Sequence, residues 1–428
     1  MSARTSALRV LNACRVSGAW ADAALAAELG RENLSAPDAA LTSRIVYGVL
    51  QTRILLDYYL SAYCTQRPDH LQQPLPDILR IGAYQILYLD KVPDHAAVSE
   101  SVELAKSSKR GAAAGLVNAV LRKLSRNKSH LPALPDDPVE RLSIETSHPR
   151  ALTERMIGIL GMEEAGAFLR ANNALAPVTV QVNPLKTTAD KLLAELSNAG
   201  VAAKPHPWVP DCLELSGVGD LTTLPAFYRG EFLVQDAAAR LASLGIERGM
   251  DVLDVCAAPG GKSFSAAFAM GNEGRIVSCD LHENKLKRIR DGAARLGVTC
   301  IETEAADGRV LHENWAERFD AVLCDVPCSG LGIIRKKPDI RYKDAAPLAG
   351  LPEVQGAILA NASRYVKPGG LLVYSTCTVL PEENADVTAA FLQTHSDFAP
   401  IPDDHGADFW PQRDQTDGFY FFRMRRTA

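Results

Sequence analysis

The stretch from Asp251 to Ser263, Asp-Val-Leu-Asp-Val-Cys-Ala-Ala-Pro-Gly-Gly-Lys-Ser, most constrains what this chain can become. Val252, Leu253 and Val255 form a short apolar run of strand type. Pro259, Gly260 and Gly261 break it, and Ser263–Met270 is predicted to be a helix. A strand, a glycine turn and a helix start make a cradle for a nucleotide-like ligand. The glycines let the backbone approach a ligand closely, and the helix N-terminus offers unpaired N–H groups.

The 428 residues imply two or three domains. A charged fraction of 23% and a hydrophobic fraction of 47% are those of a soluble globular protein. No run of about 18 or more apolar residues is present, so no membrane span is expected, and the first ten residues lack the apolar core of a secretion signal. The nine cysteines are odd in number and include no Cys-x-x-Cys pair, which argues for reduced cytoplasmic thiols and against zinc or a disulfide framework. A net charge of −5 disfavours nucleic-acid binding only on average, because phosphates are met by local basic stripes.

Residues 1–130 read as a helical bundle, with helices predicted over Thr5–Ser17, Ala21–Leu29, Ala39–Tyr63, Leu75–Leu89, Ala96–Lys106 and Gly115–Arg126. In the fourth, Ile78, Ile81, Tyr84, Gln85 and Tyr88 are expected on one face. From Glu100 to His130 the basic residues Lys106, Lys109, Arg110, Arg122, Lys123, Arg126 and Lys128 outnumber Glu100 and Glu103. They form either a solvated helix face or a phosphate-binding stripe. Leu131–Pro138 reads as a linker, and a helical segment follows to Asn172, broken at His148-Pro149. Strands at 177–184, 212–215 and 231–234 with a helix over Thr188–Ala199 suggest a small α+β module. Beyond Gln235, strands at 251–255, 275–279, 300–304, 320–324 and 370–375 alternate with helices at 263–270, 284–296, 309–315 and 351–365. That alternation predicts a doubly wound parallel sheet.

Two ligands compete for the glycine loop. Gly261-Lys262-Ser263 resembles the end of a phosphate-binding P-loop, but the first glycine of that motif falls on Cys256, and Pro259 interrupts the loop. A methyl donor fits better. Asp280, ending the second strand, can accept hydrogen bonds from ribose hydroxyls, and Asp307, after the third, is placed to meet an adenine amino group. Cys328, in Asp325-Val-Pro-Cys-Ser-Gly330, and Cys377, in Tyr374-Ser-Thr-Cys-Thr378, fall after the fourth and fifth strands, at the carboxyl edge where open α/β sheets bind ligands. Cys14, Cys212, Cys279, Cys300 and Cys324 read as small buried hydrophobes. A thiolate at the carboxyl edge has a definite use, because cytosine C5 is too poor a nucleophile to attack a methyl sulfonium until a thiolate adds to C6. The base must also be extruded into a pocket.

Cys256-Ala-Ala-Pro-Gly-Gly-Lys262, Asp325-Val-Pro-Cys-Ser-Gly330 and Ser375-Thr-Cys-Thr-Val-Leu-Pro-Glu-Glu-Asn384 resemble the motifs of RNA (cytosine-5)-methyltransferases. The helical N-terminus, with Val117–Arg122 and Ala83–Tyr88, is similar to the NusB-like domain of the RsmB (Fmu/Sun) branch, which acts on 16S ribosomal RNA. The resemblance covers nearly the whole chain. It implies a NusB-like all-α RNA-binding domain over 1–135, a helical linker and α+β RNA-binding module over 136–235, and a Rossmann-like methyltransferase domain over 236–428.

The resemblance also implies roles. Cys377 matches the nucleophile, Cys328 the cysteine that assists product release, and Asp325 an acid that contacts the base. Cys256, Ala257, Ala258, Pro259, Gly260, Gly261, Lys262, Asp280, Asp307 and Asp325 match the S-adenosylmethionine contacts. The implied partner is 16S rRNA, free or in a partly assembled small subunit; the residues themselves point to no metal and no membrane, and nothing in them demands more than a monomer. Gln181 stands where the family often has an arginine, Val326 where it has Ala or Pro, and Arg150 near a common Trp. The basic run Arg335-Lys-Lys-Pro-Asp-Ile-Arg-Tyr-Lys343 is either a site for RNA phosphates beside the flipped base or a solvated loop. Pro381-Glu-Glu-Asn384 reads as a structural helix start. The rival to an enzyme is a non-catalytic RNA-binding or assembly factor with a vestigial methyltransferase fold, against which the cysteine pair argues.

Overall fold

The computed structural model describes residues 2–108, 110–343, 348–402 and 406–427. It divides into two compact units, Met1–Ala174 with Ile334–Lys343, and Leu175–Ile333 with Asp344–Ala428.

The first unit is helical: α1 (Ala3–Val16), α2 (Ala21–Arg31), α3 (Ala36–Ser61), α4 (Leu75–Tyr88), α5 (Asp94–Ser107), α6 (Ala114–Arg126), α7 (Pro138–Thr146), α8 (Arg150–Leu160) and α9 (Met162–Ala171). Ser35 caps α3 by accepting the Asp38 N–H, with Pro37 in the first turn. α6 buries Val117, Val120, Leu121 and Leu124, an i, i+3, i+4, i+7 stripe, and each such side chain removed from water contributes about 1.5–3 kcal/mol. The one-sided α4 expected from the sequence is corrected. Every residue from Leu75 to Ile86 is buried, so α4 is the central helix of the bundle. Its Arg80 survives there because its guanidinium donates to Asp57 and Asp77.

Residues 334–343 follow the fourth sheet strand in sequence but pack in the helical unit. Arg341, 3% exposed, donates to the carbonyls of Gln51, Thr146, Ser147 and Asn172 and to Asn173 Oδ1. Lys343 donates to the Gly18 and Ala19 carbonyls and lies over the Trp20 ring, while Lys337 pairs with Asp22. The expectation that this run faces RNA phosphates is therefore corrected for Arg341, whose charge is consumed inside the bundle, while Lys343 and Lys337 are engaged at its surface.

The second unit holds two sheets. The first contains β1 (Val178–Val182), β2 (Ala202–Pro205), β3 (Cys212–Ser216) and β4 (Phe232–Val234), ordered β2-β3-β1-β4 and antiparallel, with α10 (Ala189–Asn198) and the short α11 (Pro225–Tyr228). Then follow α12 (Ala237–Leu241), β5 (Asp251–Asp254), α13 (Gly261–Ala269), β6 (Arg275–Asp280), α14 (Glu283–Leu296), β7 (Ile301–Ala305), β8 (Phe319–Asp325), α15 (Leu351–Ser363), β9 (Val366–Thr376), α16 (Ala385–Thr394), β10 (Phe398–Pro400), β11 (Gly406–Phe409), α17 (Pro411–Asp414) and β12 (Phe419–Arg426). The strand order is β10-β12-β9-β8-β5-β6-β7, with β11 also pairing β12. β5 to β9 run parallel and β12 returns antiparallel. The order reverses between β5 and β8, which opens a crevice at their carboxyl ends.

The helix expected over Arg309–Trp315 is a single 3₁₀ turn at Glu313–Trp315. Asp307 accepts the Arg309 backbone N–H, a local turn that competes with helix initiation. Gln181 is 1% exposed, donates to Asp211, and lies with Gln235 around the Ser265 hydroxyl. It joins the small sheet to α13 from within.

Candidate active site

Four segments of the second unit converge at the carboxyl edge. The first is the loop after β5. Ala257 N–H donates to Cys279 O on β6, and Val255 N–H to Leu323 O on β8, so the loop is fastened to both neighbours. Gly260 caps α13 at φ +113°, and a Cβ there would meet the Phe264 ring at 2.6 Å. Only glycine provides this turn. Burial pushes the Cys256 thiol far up, which disfavours the thiolate form that a nucleophile needs.

Beneath the loop lies a carboxylate that the sequence reading missed. Asp254 is fully buried at the end of β5 and accepts the Ser263 hydroxyl at 2.7 Å, while Ser278 Oγ lies 2.8 Å from Ser263 Oγ. Burial, with the Asp325 charge adding, raises its pKa to about 7, against the opposing Ser263 hydrogen bond. Among the described residues no donor meets its Oδ1 in full hydrogen-bond geometry, although the Cys256 backbone N–H is close enough to oppose the rise in pKa. A charged residue inside Val-Leu-Asp-Val was the available signal.

Asp280 ends β6 at 7% exposure, and its Oδ1 accepts the His282 N–H at 3.0 Å and pairs with Lys285 at 3.2 Å. Asp307 is bound to the Arg309 guanidinium, which holds its carboxyl below the usual range. A glycine-walled cradle and a strand-end carboxylate fit S-adenosylmethionine, which carries no phosphate.

Lys262 reaches from the loop to the end of β8. Its Nζ donates to Asp325 Oδ2 at 2.5 Å and lies 5.1 Å over the Phe419 ring, while Ser375 Oγ donates to Asp325 Oδ1 at 2.8 Å. Burial alone would lower the ammonium, but Asp325 outweighs it and the pKa rises, with the nearby Cys377 contributing. Cys328 and Cys377 face each other, Sγ to Sγ, at 3.2 Å. The hydrogen bond to Cys377, burial and the Cys377 and Glu383 charges together drive the Cys328 thiol well up.

The two cysteine loops are locked to each other. Gly332 N–H donates to Cys377 O, and Gly418 N–H to Gly332 O. A Cβ on Gly332 would lie 2.1 Å from Gly418 O and 2.8 Å from Cys377 O. Asp325, Lys262 and the two thiols thus bring a cation, an acid and a thiol pair together at the carboxyl edge of the sheet. No group of three or more metal-ligating side chains occurs among the described residues.

In the helical unit, Lys106 pairs with Glu103 and Lys128 with Asp94, which consumes part of the basic stripe. Arg110, Arg122, Lys123 and Arg126 are exposed, and Lys109 lies outside the described residues.

A family model described as 16S rRNA methyltransferase RsmB/F matches residues 242–425, one for the NusB family matches 1–126, and one for an RsmF/B-like ferredoxin-like domain matches 148–222. The chain is 36% identical over 443 residues to the probable ribosomal RNA small subunit methyltransferase B of Bacillus subtilis, covering 99% of both chains. To ribosomal RNA small subunit methyltransferase B of Klebsiella pneumoniae it is 34% identical, covering 92% of this chain and 91% of that one. The crystal structure of PH0851 superposes with a TM-score of 0.83 at 27% identity, over 99% of this chain and 97% of that one.

Proposed function

The chain belongs to the RsmB/F family of 16S rRNA methyltransferases, and from that premise we propose that it methylates C5 of a cytosine in 16S rRNA through a covalent Cys377–C6 adduct. The observation that carries this reading is the pair of thiols 3.2 Å apart beside the Lys262–Asp325 ion pair. A structural cysteine pair has no need of a buried cation and carboxylate at its side.

The loop 256–262, Asp280 and Asp307 would hold S-adenosylmethionine, which would supply the methyl group as an electrophile on a sulfonium. Cys377 adds to C6 and raises electron density at C5. Asp325, held in place by Ser375 and Lys262, hydrogen-bonds the polar edge of the extruded base and stabilises its protonated adduct. With the methyl group on C5, the C5 proton passes to solvent, its bonding electrons re-form the C5–C6 double bond, and the C6–S bond breaks with its electrons returning to the Cys377 sulfur as a thiolate, which restores the aromatic ring. The neutral Cys328 thiol is placed to hydrogen-bond that thiolate as it leaves.

The NusB-like residues 1–135, through Arg110, Arg122, Lys123 and Arg126, and the module within 136–235 grip RNA by its phosphates. Residues 236–428 carry the chemistry. We assign the protein to the cytoplasm, where it acts as a monomer on free rRNA or a partly assembled subunit.

The test is transfer of label from methyl-labelled S-adenosylmethionine to undermethylated 16S rRNA, followed by nucleoside digestion. Label in 5-methylcytidine is expected. Its absence with both free RNA and assembly intermediates would overturn the proposal.

A further inference from the structure

The turn Pro381–Glu383, read from sequence as a plain helix start, is attached to both cysteine loops. Glu383 is 2% exposed. Its Oε2 accepts the Ser329 N–H at 2.9 Å and the Gln355 amide at 2.9 Å, and the same Gln355 nitrogen donates to Pro327 O at 3.0 Å. Both neighbours of Cys328 are thereby tied to one carboxylate. Asn384 does the same for Cys377: it accepts the Thr376 hydroxyl at 2.6 Å and donates to Thr378 O at 3.1 Å. Ser329 and Thr378 close the frame through their hydroxyls at 2.7 Å.

The frame is electrically lopsided. The partners of the Glu383 carboxylate are neutral amides, so its charge stays on the Cys328 side. The Lys262 ammonium, shared with Asp325, acts on Cys377. Tyr374, which donates to Glu383 O, adds no charge. Two thiols at 3.2 Å cannot both ionise. An anion fastened beside one of them decides which keeps the proton.

We propose that Glu383 is a positioning residue that sets the division of labour between the cysteines, holding Cys328 as the proton-bearing partner and leaving Cys377 to act as the nucleophile. The proposal rests on the cysteine chemistry above, yet it is testable without RNA or cofactor, so its failure and that of the methyl-transfer reading are separable. The pKa of Cys328, raised in part by Glu383, points the same way.

The experiment is iodoacetamide alkylation of the full chain from about pH 6 to about pH 9, with each cysteine followed by peptide mass spectrometry. In the wild type, Cys377 labels ahead of Cys328. Glu383→Gln keeps an acceptor for Ser329 and removes the charge, so Cys328 labelling accelerates about tenfold, a fall of about one pKa unit, with the thermal midpoint little changed. Glu383→Asp keeps the charge and retains the wild-type order. A folded Glu383→Gln protein with wild-type Cys328 labelling would refute the proposal, because a merely structural peg leaves that rate alone. If the glutamine variant does not fold, the aspartate variant decides: Cys328 labelling first there, or in the wild type, overturns it.

Discussion

Asp325→Asn should destabilise the second unit chiefly through what it does to Lys262. The Lys262 and Asp325 side chains are 15% and 28% exposed, and their 2.5 Å contact is the ammonium's one ion pair among the described residues. Exposed pairs contribute about 0–1 kcal/mol, and breaking a fully buried one costs about 3–5. This geometry lies between, so the variant should lose about 2–3 kcal/mol. Thermal unfolding, followed by the fluorescence of Trp208, Trp315 and Trp410, should fall by ~5–10 °C for a unit of this size.

The loss has a pH signature. Asp325 raises the folded pKa of Lys262, so the stabilisation is fully present below the unfolded value of 10.5 and is lost as pH rises through the folded one. Without Asp325, burial lowers that pKa and the lysine sheds its proton at modest cost. The gap between wild type and variant should therefore be widest at neutral pH and close in alkali. Adding Lys262→Met to Asp325→Asn should restore all but about 1 kcal/mol, because no orphaned charge remains. A loss below about 0.5 kcal/mol, or a double variant no more stable than the single one, would refute the reasoning.

Gly332→Ala places a methyl 2.1 Å from Gly418 O and displaces the Cys377 loop, so kcat should fall about a hundredfold with ~1–3 kcal/mol of stability, measured by methyl transfer and urea unfolding. Arg341→Met leaves a cluster of buried carbonyls without their donor, and the helical unit should lose about 3 kcal/mol in thermal unfolding. Its RNA affinity should show an unchanged salt slope, since Arg341 meets no phosphate. Asp254 binds its proton more tightly folded than unfolded, at about 7 against 3.8. Stability should therefore fall with rising pH between about 4 and 7 and level off above, and Asp254→Asn should flatten that slope in urea titrations.

Where apolar spacing was regular, the sequence announced the element. α6, with its four-residue stripe, and α14, with Leu286, Ile289, Ala293 and Leu296 buried, lie within a residue or two of expectation. β2, Ala202–Pro205, was missed because an exposed edge strand of Ala-Ala-Lys-Pro needs no alternation. β9 starts at Val366, ahead of its apolar run, because its pairing with β8 extends to Phe319–Val366, across the Pro-Gly-Gly that reads as a break. The positions of the two cysteines were legible because each follows a strand at the same sheet edge. The partners that hold them were not. Glu383 reaches Ser329 across 54 residues and Gln355 across 28, and no local pattern encodes such a hydrogen bond. Lys262 was legible as part of the glycine loop, but its long side chain reaches Asp325 on β8 across 63 residues, which no local pattern encodes. The basic run 335–343 looked like a phosphate site because charge counts do not reveal the carbonyls that receive Arg341.

The central claim, that Cys377 forms the adduct and Cys328 resolves it, is tested most directly by denaturing electrophoresis of each cysteine variant after incubation with 16S rRNA and S-adenosylmethionine. Cys328→Ala should accumulate a covalent protein–RNA species and Cys377→Ala should form none. An adduct with Cys377→Ala and none with Cys328→Ala would exchange the two roles and contradict the account.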